Sequence, residues 1–365
     1  MGKLLRYGII GAGSMGREHI HNLKVMDGVE VNAISDPHIP SQQAALALVP
    51  DAKVFTDHNS LLNSGLVDAV IIATPNDTHI DVLRDALRTD LAVFVEKPLA
   101  TTIDDCKEIL SLGNARKALT WMGLEYRFMP PINEVVQRTK AGEVGNVHHV
   151  SIREHREPFY PKVDNWNRFT ARTGGTLVEK CCHYFNLMDL VLGEHATKVY
   201  ATGGQSVNFL NESYDGKPAD MLDSAFVILE YSSGKRAMLD LCMFGEGSYD
   251  KEIFTVVGDQ GKLESFLPSH NVRYSKRSDW GDASAWFAGG KGGSQERIVF
   301  DHGAKYLGAH YGASYIEHVK FHKAYLEGSP AEVTLEDGVT SVATGLAAHK
   351  SISEGRVVEV SEVWG

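Results

Sequence analysis

Two short patterns in the sequence could do chemistry. The first is Val95-Glu96-Lys97-Pro98-Leu99, a lysine held between an apolar run, Leu91 to Val95, and a proline. The second is Gly174-Gly175-Thr176-Leu177-Val178-Glu179-Lys180-Cys181-Cys182-His183, in which Glu179 and His183 stand four residues apart. On a helix that spacing puts both side chains on one face, where the carboxylate orients the imidazole and stabilises its protonated form. Such an imidazole suits removal of a hydroxyl proton. A lysine beside it would position the hydroxyl and stabilise negative charge on its oxygen. Lys97, Glu179 and His183 are therefore the candidate catalytic set for oxidising a secondary alcohol, provided something accepts the hydride. A zinc site at Cys181, Cys182 and His183 is not indicated, because adjacent cysteines lack metal-ligand spacing and no second pair follows.

The elements that must position these residues begin at the N-terminus. Tyr7 to Ile10 reads as a strand, Gly11-Ala12-Gly13-Ser14-Met15-Gly16 as a glycine-rich turn, and Arg17 to Met26 as a helix. Glycines in that context allow a tight turn, close approach of backbone to a pyrophosphate, and close packing of helix on strand, while the helix N-terminus favours the anion. A second strand, Val29 to Ser35, ends at Asp36, twenty residues beyond Gly16. An acid there hydrogen-bonds the adenosine ribose and repels a 2'-phosphate, which favours NAD over NADP.

Alternation continues with strands at Ala52 to Phe55, Val67 to Thr74 and Leu91 to Glu96, and helices at Ser60 to Gly65 and Thr78 to Thr89. Continuous β-rich runs between helices predict a doubly wound parallel sheet covered on both faces. Ligands on such sheets sit beyond the carboxyl ends of the strands. Three segments meet there: Gly11 to Gly16, then Thr74-Pro75-Asn76 with His79, then Glu96-Lys97. Lys97 would face the nicotinamide end.

Taken together, Gly-x-Gly-x-x-Gly, the acid at position 36, Ala73-Thr74-Pro75-Asn76 with His79, and Glu96-Lys97-Pro98 resemble the Gfo/Idh/MocA family of glucose-fructose oxidoreductases and inositol dehydrogenases. The resemblance implies an NAD- or NADP-dependent dehydrogenase of cyclitols or sugars, in which the lysine of Glu-Lys-Pro contacts both nicotinamide ribose and substrate. It extends to the 174–186 segment with three departures: Glu179 for the common Asp, Cys181 for Gly, and Asn186 for Asp. By the same resemblance His155 is similar to a pocket histidine of inositol dehydrogenases. Arg127, in Tyr126-Arg127-Phe128, either borders the substrate pocket or is a salt-bridged surface residue. The loop holding Tyr160, Asn165 and Trp166 offers hydrogen-bond partners and a flat apolar face of the kind polyol sites use, so Asn165 and Trp166 join the substrate-binding candidates. An aldose, glycoside or anhydrosugar substrate stays open, as does a nucleotide sensor without catalysis, although a sensor need not keep Lys97 and His183.

The expected architecture is α/β: a Rossmann domain over residues 1–124, then an α+β domain over 125–365 with a large, mostly antiparallel open sheet that binds substrate and joins subunits into a homodimer or homotetramer. Strands at Val147 to Glu154, Val199 to Thr202, Ser224 to Tyr231, Ala237 to Phe244, Glu252 to Val257 and Lys262 to Phe266 would form that sheet. Glycine-rich Gly281 to Gly293, with Trp280, Trp286 and Phe287, reads as a lid or a surface loop. A chain of 365 residues has room for two cores. A net charge of −11 argues against nucleic acid as a partner. No run approaches the about 18 apolar residues that a membrane span needs, and four cysteines, two of them adjacent, form no disulfide framework, so a cytoplasmic protein is expected.

Overall fold

Six parallel strands form the first sheet: β1 (Leu5–Ile10), β2 (Val29–Ser35), β3 (Lys53–Phe55), β4 (Ala69–Ile72), β5 (Ala92–Glu96) and β6 (Thr120–Gly123), in the order β3-β2-β1-β4-β5-β6. The computed structural model in which they are seen describes residues 4–280 and 293–364, so nearly all of the glycine-rich 281–293 stretch lies outside the described residues. Every residue of β4 and β5 is buried, as expected of central strands with helices on both faces. The strand order reverses between β1 and β4, which opens a crevice at their carboxyl ends. The helix Ser14–Lys24 starts within the glycine turn itself. A further helix, Ile39–Leu46, has no clear apolar stripe in the sequence and is started by a proline in its first turn.

Among the described residues the second sheet has nine strands. They are β7 (Val147–His155), β8 (Ala196–Gly204), β11 (Ser224–Tyr231), β12 (Arg236–Cys242), β13 (Glu252–Gly258), β14 (Gly261–Leu267), β15 (Asn271–Lys276), β16 (Ser294–Ile298) and β17 (Val358–Glu359); a separate two-stranded hairpin, β9 (Ser213–Tyr214) with β10 (Lys217–Pro218), lies apart from it. The order is β16-β15-β14-β13-β7-β12-β11-β8-β17, and only the β7–β12 pairing is parallel. The sequence pattern indicated the central strands but not β15 and β16.

One face of this sheet packs against the helices Pro130–Lys140, Cys182–Leu192 and Leu335–Glu354. The other is open: strict alternation along β11 leaves Phe226 and Ile228 exposed, with Tyr200 and Met238 beside Ile228 in the register. Sequence-distant contacts tie β6 to the C-terminal part of the chain. The Met122 N–H donates to the Val333 carbonyl at 3.1 Å, and the Trp121 indole donates to Glu317 at 3.0 Å. Among the described residues no helix is long and apolar enough to cross a membrane.

Candidate active site

The glycine turn makes one end of a cleft of about 790 Å³ between the carboxyl ends of the first sheet's strands and the loop at 161–166. Gly11 has φ +92°, and a Cβ there would stand 2.6 Å from the carbonyl of Ala73. A Cβ on Gly16 would fall 2.0 Å from the Gly11 oxygen, so this glycine lets helix and turn meet. Among the described residues nothing lies within 4 Å of a Cβ placed on Gly13. Gly11, Gly13, Ser14, Met15 and Asp36 line the cleft. The Asp36 carboxylate is aimed by two backbone donors, the Ala12 N–H and the His38 N–H, both at 2.7 Å. The empty space over Gly13, the helix N-terminus behind it and the fixed acid fit a dinucleotide with its pyrophosphate on the turn and its adenosine ribose at Asp36. Replacing Asp36 with alanine should weaken use of NAD by about 10- to 100-fold, the value of one or two charge-assisted hydrogen bonds, and narrow the gap to NADP. Measurement of kcat/KM for each nucleotide checks this.

At the other end, β5 delivers Glu96 and Lys97 to the cleft wall. Glu96 accepts from the Lys97 N–H at 3.1 Å and lies 2.9 Å from Nε2 of buried His19, whose Nδ1 is 2.8 Å from His318. Burial would raise the Glu96 carboxyl, but the hydrogen bond and charge of His19 hold it well below its usual range. Glu96 lines the cleft and also anchors the loop. The Lys97–Pro98 peptide is cis. His79, expected to touch the cofactor, is instead fully buried behind the wall. Its Nδ1 lies 2.8 Å from the Pro98 carbonyl and its Nε2 3.1 Å from that of Thr74, so it braces the two loops that carry the site. Thr74, Pro75 and Asn76 line the cleft.

The pairing of Glu179 with His183 does not form. The helix is interrupted: one turn ends at Glu179, and the next helix begins at Cys182, so the four-residue spacing no longer shares a face. Glu179 turns to the opposite wall, where its carbonyl accepts from the Lys97 ammonium at 3.0 Å, its carboxylate lies 3.7 Å from that ammonium, and Asn76 donates to it. Burial works against the Lys97 charge, but Glu179, then Cys182, Glu96 and Glu125, overcome it and leave the ammonium harder to deprotonate than a free lysine. His183 is 2% exposed and stacks on Tyr126 with ring centroids 4.0 Å apart and planes 7° from parallel. Burial, then the positive charges of Lys97 and Lys180, push its pKa well below the ordinary value. His183 is thus a neutral imidazole at neutral pH, the form in which it can accept a proton.

Two other expected pocket residues stand elsewhere. His155 belongs to the β7 parity that faces away from the helices, and its Nε2 meets Asp240 on the open face at 3.1 Å. Its neighbour Glu154 points inward, 2.9 Å from the Lys180 ammonium. Arg127 is buried and salt-bridged: it donates to Asn186, to Asp337 at 3.0 Å and to the Glu332 carbonyl at 3.3 Å, tying packed elements together away from the cleft. Trp166 does line the cleft, whereas Asn165 supplies a left-handed bend, φ 51°, in the loop.

The loop contributes a residue the sequence did not single out. Lys162 reaches across the cleft mouth to Ser14 Oγ at 3.2 Å, with its ammonium 5.9 Å from the Trp166 ring. Glu125 and His310 were also missed. They stand beside His183, with Glu125 3.8 Å from its Nε2 and His310 3.4 Å from Glu125. Only the polar interruption of an otherwise apolar run at Leu124-Glu125-Tyr126 could have drawn attention to the acid.

The fold has known counterparts. Residues 5–124 match the family model described as an oxidoreductase family, NAD-binding Rossmann fold, and residues 137–360 match the C-terminal alpha/beta domain of the same family. The chain is 27% identical over 365 residues to a myo-inositol 2-dehydrogenase from Thermotoga maritima, covering 99% of this chain and 100% of that one. It is 28% identical over 357 residues to an inositol 2-dehydrogenase from Rhizobium meliloti, covering 98% and 99%. Among solved structures, a levoglucosan dehydrogenase in complex with NADH and levoglucosan superposes with a TM-score of 0.86 at 19% identity, covering 98% of this chain and 100% of that one, a likeness of fold. The chain belongs to the Gfo/Idh/MocA family of oxidoreductases and uses NAD as its cofactor.

Proposed function

We propose that the protein oxidises a secondary hydroxyl of a cyclitol or closely related sugar. The observation that carries this reading is a charged ammonium, Lys97, on the wall of a cleft that begins in a dinucleotide cradle, with a neutral imidazole, His183, buried behind it and near enough for the lysine to depress the histidine. Gly11, Gly13, Ser14, Met15 and Asp36 would hold NAD, which when bound supplies a hydride acceptor. Lys97, fixed by Glu179, orients the substrate hydroxyl and stabilises charge on its oxygen; His183 takes the proton. Glu179 acts on the lysine rather than on the histidine. Trp166 offers an apolar face for the C–H side of a ring. The inositol dehydrogenases that align over the whole chain support cyclitols as the substrate class. The exposed apolar stripe on the nine-stranded sheet supports association into a homodimer or homotetramer.

The test is NADH formation with inositols, aldohexoses, glycosides and anhydrosugars, each with NAD and with NADP. The expected outcome is turnover with at least one inositol and NAD. Turnover confined to aldoses or anhydrosugars would move the assignment to those substrates, and saturable NAD binding without turnover on any of them would refute the enzyme reading.

A further inference from the structure

Beside His183 lies a carboxyl that no hydrogen bond explains. Glu125 is 2% exposed, and among the described residues neither of its buried oxygens has a hydrogen-bond partner. Buried acceptors are satisfied in the great majority of cases, so two empty oxygens on one side chain mark a special position. Glu125 Oε1 is 3.8 Å from Nε2 of His183 and 3.4 Å from Nδ1 of His310. His310 is the most exposed of the three, at 18% of its side chain against 2% for each of the others. The carboxyl therefore stands between the candidate base and a histidine with a way out.

We propose that Glu125 receives the proton that His183 takes from the substrate hydroxyl and passes it to His310 for release to solvent. The inference rests on the dehydrogenase reading above. The hydroxyl O–H breaks as an N–H bond forms at Nε2 of His183, and the C–H electron pair leaves as hydride to the oxidant of the reaction, NAD, giving a carbonyl. The Nε2–H bond then breaks as an O–H bond forms at Oε1 of Glu125. The imidazole returns to neutral and the carboxylate becomes a carboxylic acid. Transfer to Nδ1 of His310 and on to water restores the carboxylate, so each turnover sends one hydroxyl proton to solvent. The separations of 3.8 and 3.4 Å need only the tightening common when substrate binds.

Charges around the site give the proton a resting place. Glu125 is faced by Glu96 and Lys97 from the end of β5, by Lys180 and His183 from the segment that carries the base, and by His310 and Glu317 from the C-terminal third. Burial first, then Glu96, push its pKa up to about 8, against the pull of Lys97 and Lys180. Burial, with the nearby lysines, lowers both imidazoles, His310 to about 3. A proton therefore moves downhill from His183 to Glu125 and dwells there before it leaves. Oxidation requires the ionised carboxylate, so its rate should rise with pH through the Glu125 ionisation, near 8.

The experiment uses the full chain and Glu125→Gln, a change of nearly the same shape. In the wild type, kcat/KM for oxidation should show a limb that rises toward about pH 8; in Glu125→Gln the limb should vanish and the rate at about pH 9 should drop by about 10²-fold, with NAD affinity unchanged within about threefold. Infrared difference spectra of the protein without substrate provide a readout independent of turnover. The wild type should lose a carboxylic-acid C=O band over the same pH range, and Glu125→Gln should lack it. Retention of the limb with a rate within about threefold of wild type, or a wild type without the infrared band, would overturn the relay. Loss of activity in a His183→Ala variant alongside an unaffected Glu125→Gln would refute the relay and leave the base; full activity in His183→Ala would refute the base itself.

Discussion

Lys97→Ala should lower kcat/KM for oxidation by about 10³-fold, or about 4 kcal/mol, with NAD binding changed far less. That magnitude is typical for removing a single charged or hydrogen-bonding group aimed at a developing oxyanion in a partly buried site. The lysine's surroundings determine the split between catalysis and cofactor binding. Its ammonium is held by the Glu179 carbonyl at 3.0 Å and flanked by the Glu179 carboxylate, both on the wall opposite the sheet that carries it. It thus points to the place where a substrate oxygen would enter, while the pyrophosphate cradle at Gly11 to Gly16 is built without it. Arginine should not rescue the variant, because a planar guanidinium cannot occupy the place of a point ammonium against one carbonyl. Initial rates, with NAD affinity titrated separately, distinguish the outcomes. A loss below about threefold would exclude Lys97 from the chemistry.

His183→Ala should be comparably severe, about 10³-fold in kcat, and imidazole added to the buffer should restore part of the activity by entering the space left against Tyr126. A structural role alone would not give that rescue. Because His183 is held neutral, the wild-type rate should show no limb at the ordinary histidine value of about 6.5. Stability carries the opposite signature. A histidine whose native pKa lies below its unfolded value binds fewer protons folded than unfolded in acid, so its contribution is favourable above about 6.5 and is lost as pH falls below it. His183, His310, His318, His79 and His349 are all lowered, in each case mainly by burial. Thermal melts should therefore fall steeply between about pH 6.5 and 5, and less steeply in His183→Ala.

What could be read from the sequence follows from how local each feature is. The glycine turn and Asp36 lie within one βαβ unit, where spacing alone fixes geometry. Lys97 is legible because a strand end and a proline bracket it. Features that depend on three-dimensional phase were not legible. The Glu179–His183 expectation assumed an unbroken helix, and the interruption at Lys180-Cys181 sends the two side chains to different partners. His155 and Glu154 differ by one position, yet which parity of β7 faces the helices is settled only by what packs against the sheet. Glu125 and His310 meet from distant stretches, Lys162 reaches Ser14 from another, and no periodicity links them. Arg127 shows the converse. Its type and place suggested a pocket, but neighbours as distant as Asp337 claim it for packing.

The contacts that close the first sheet also bear on how the chain is made. The outer edge of that sheet is covered by the Val333 carbonyl, and Trp121 is satisfied by a carboxylate 196 residues further along. During synthesis the nucleotide-binding strands leave the ribosome long before those partners exist, so the β6 edge stays bare until nearly the whole polypeptide has emerged. A chain truncated before those partners would present that open edge to its neighbours.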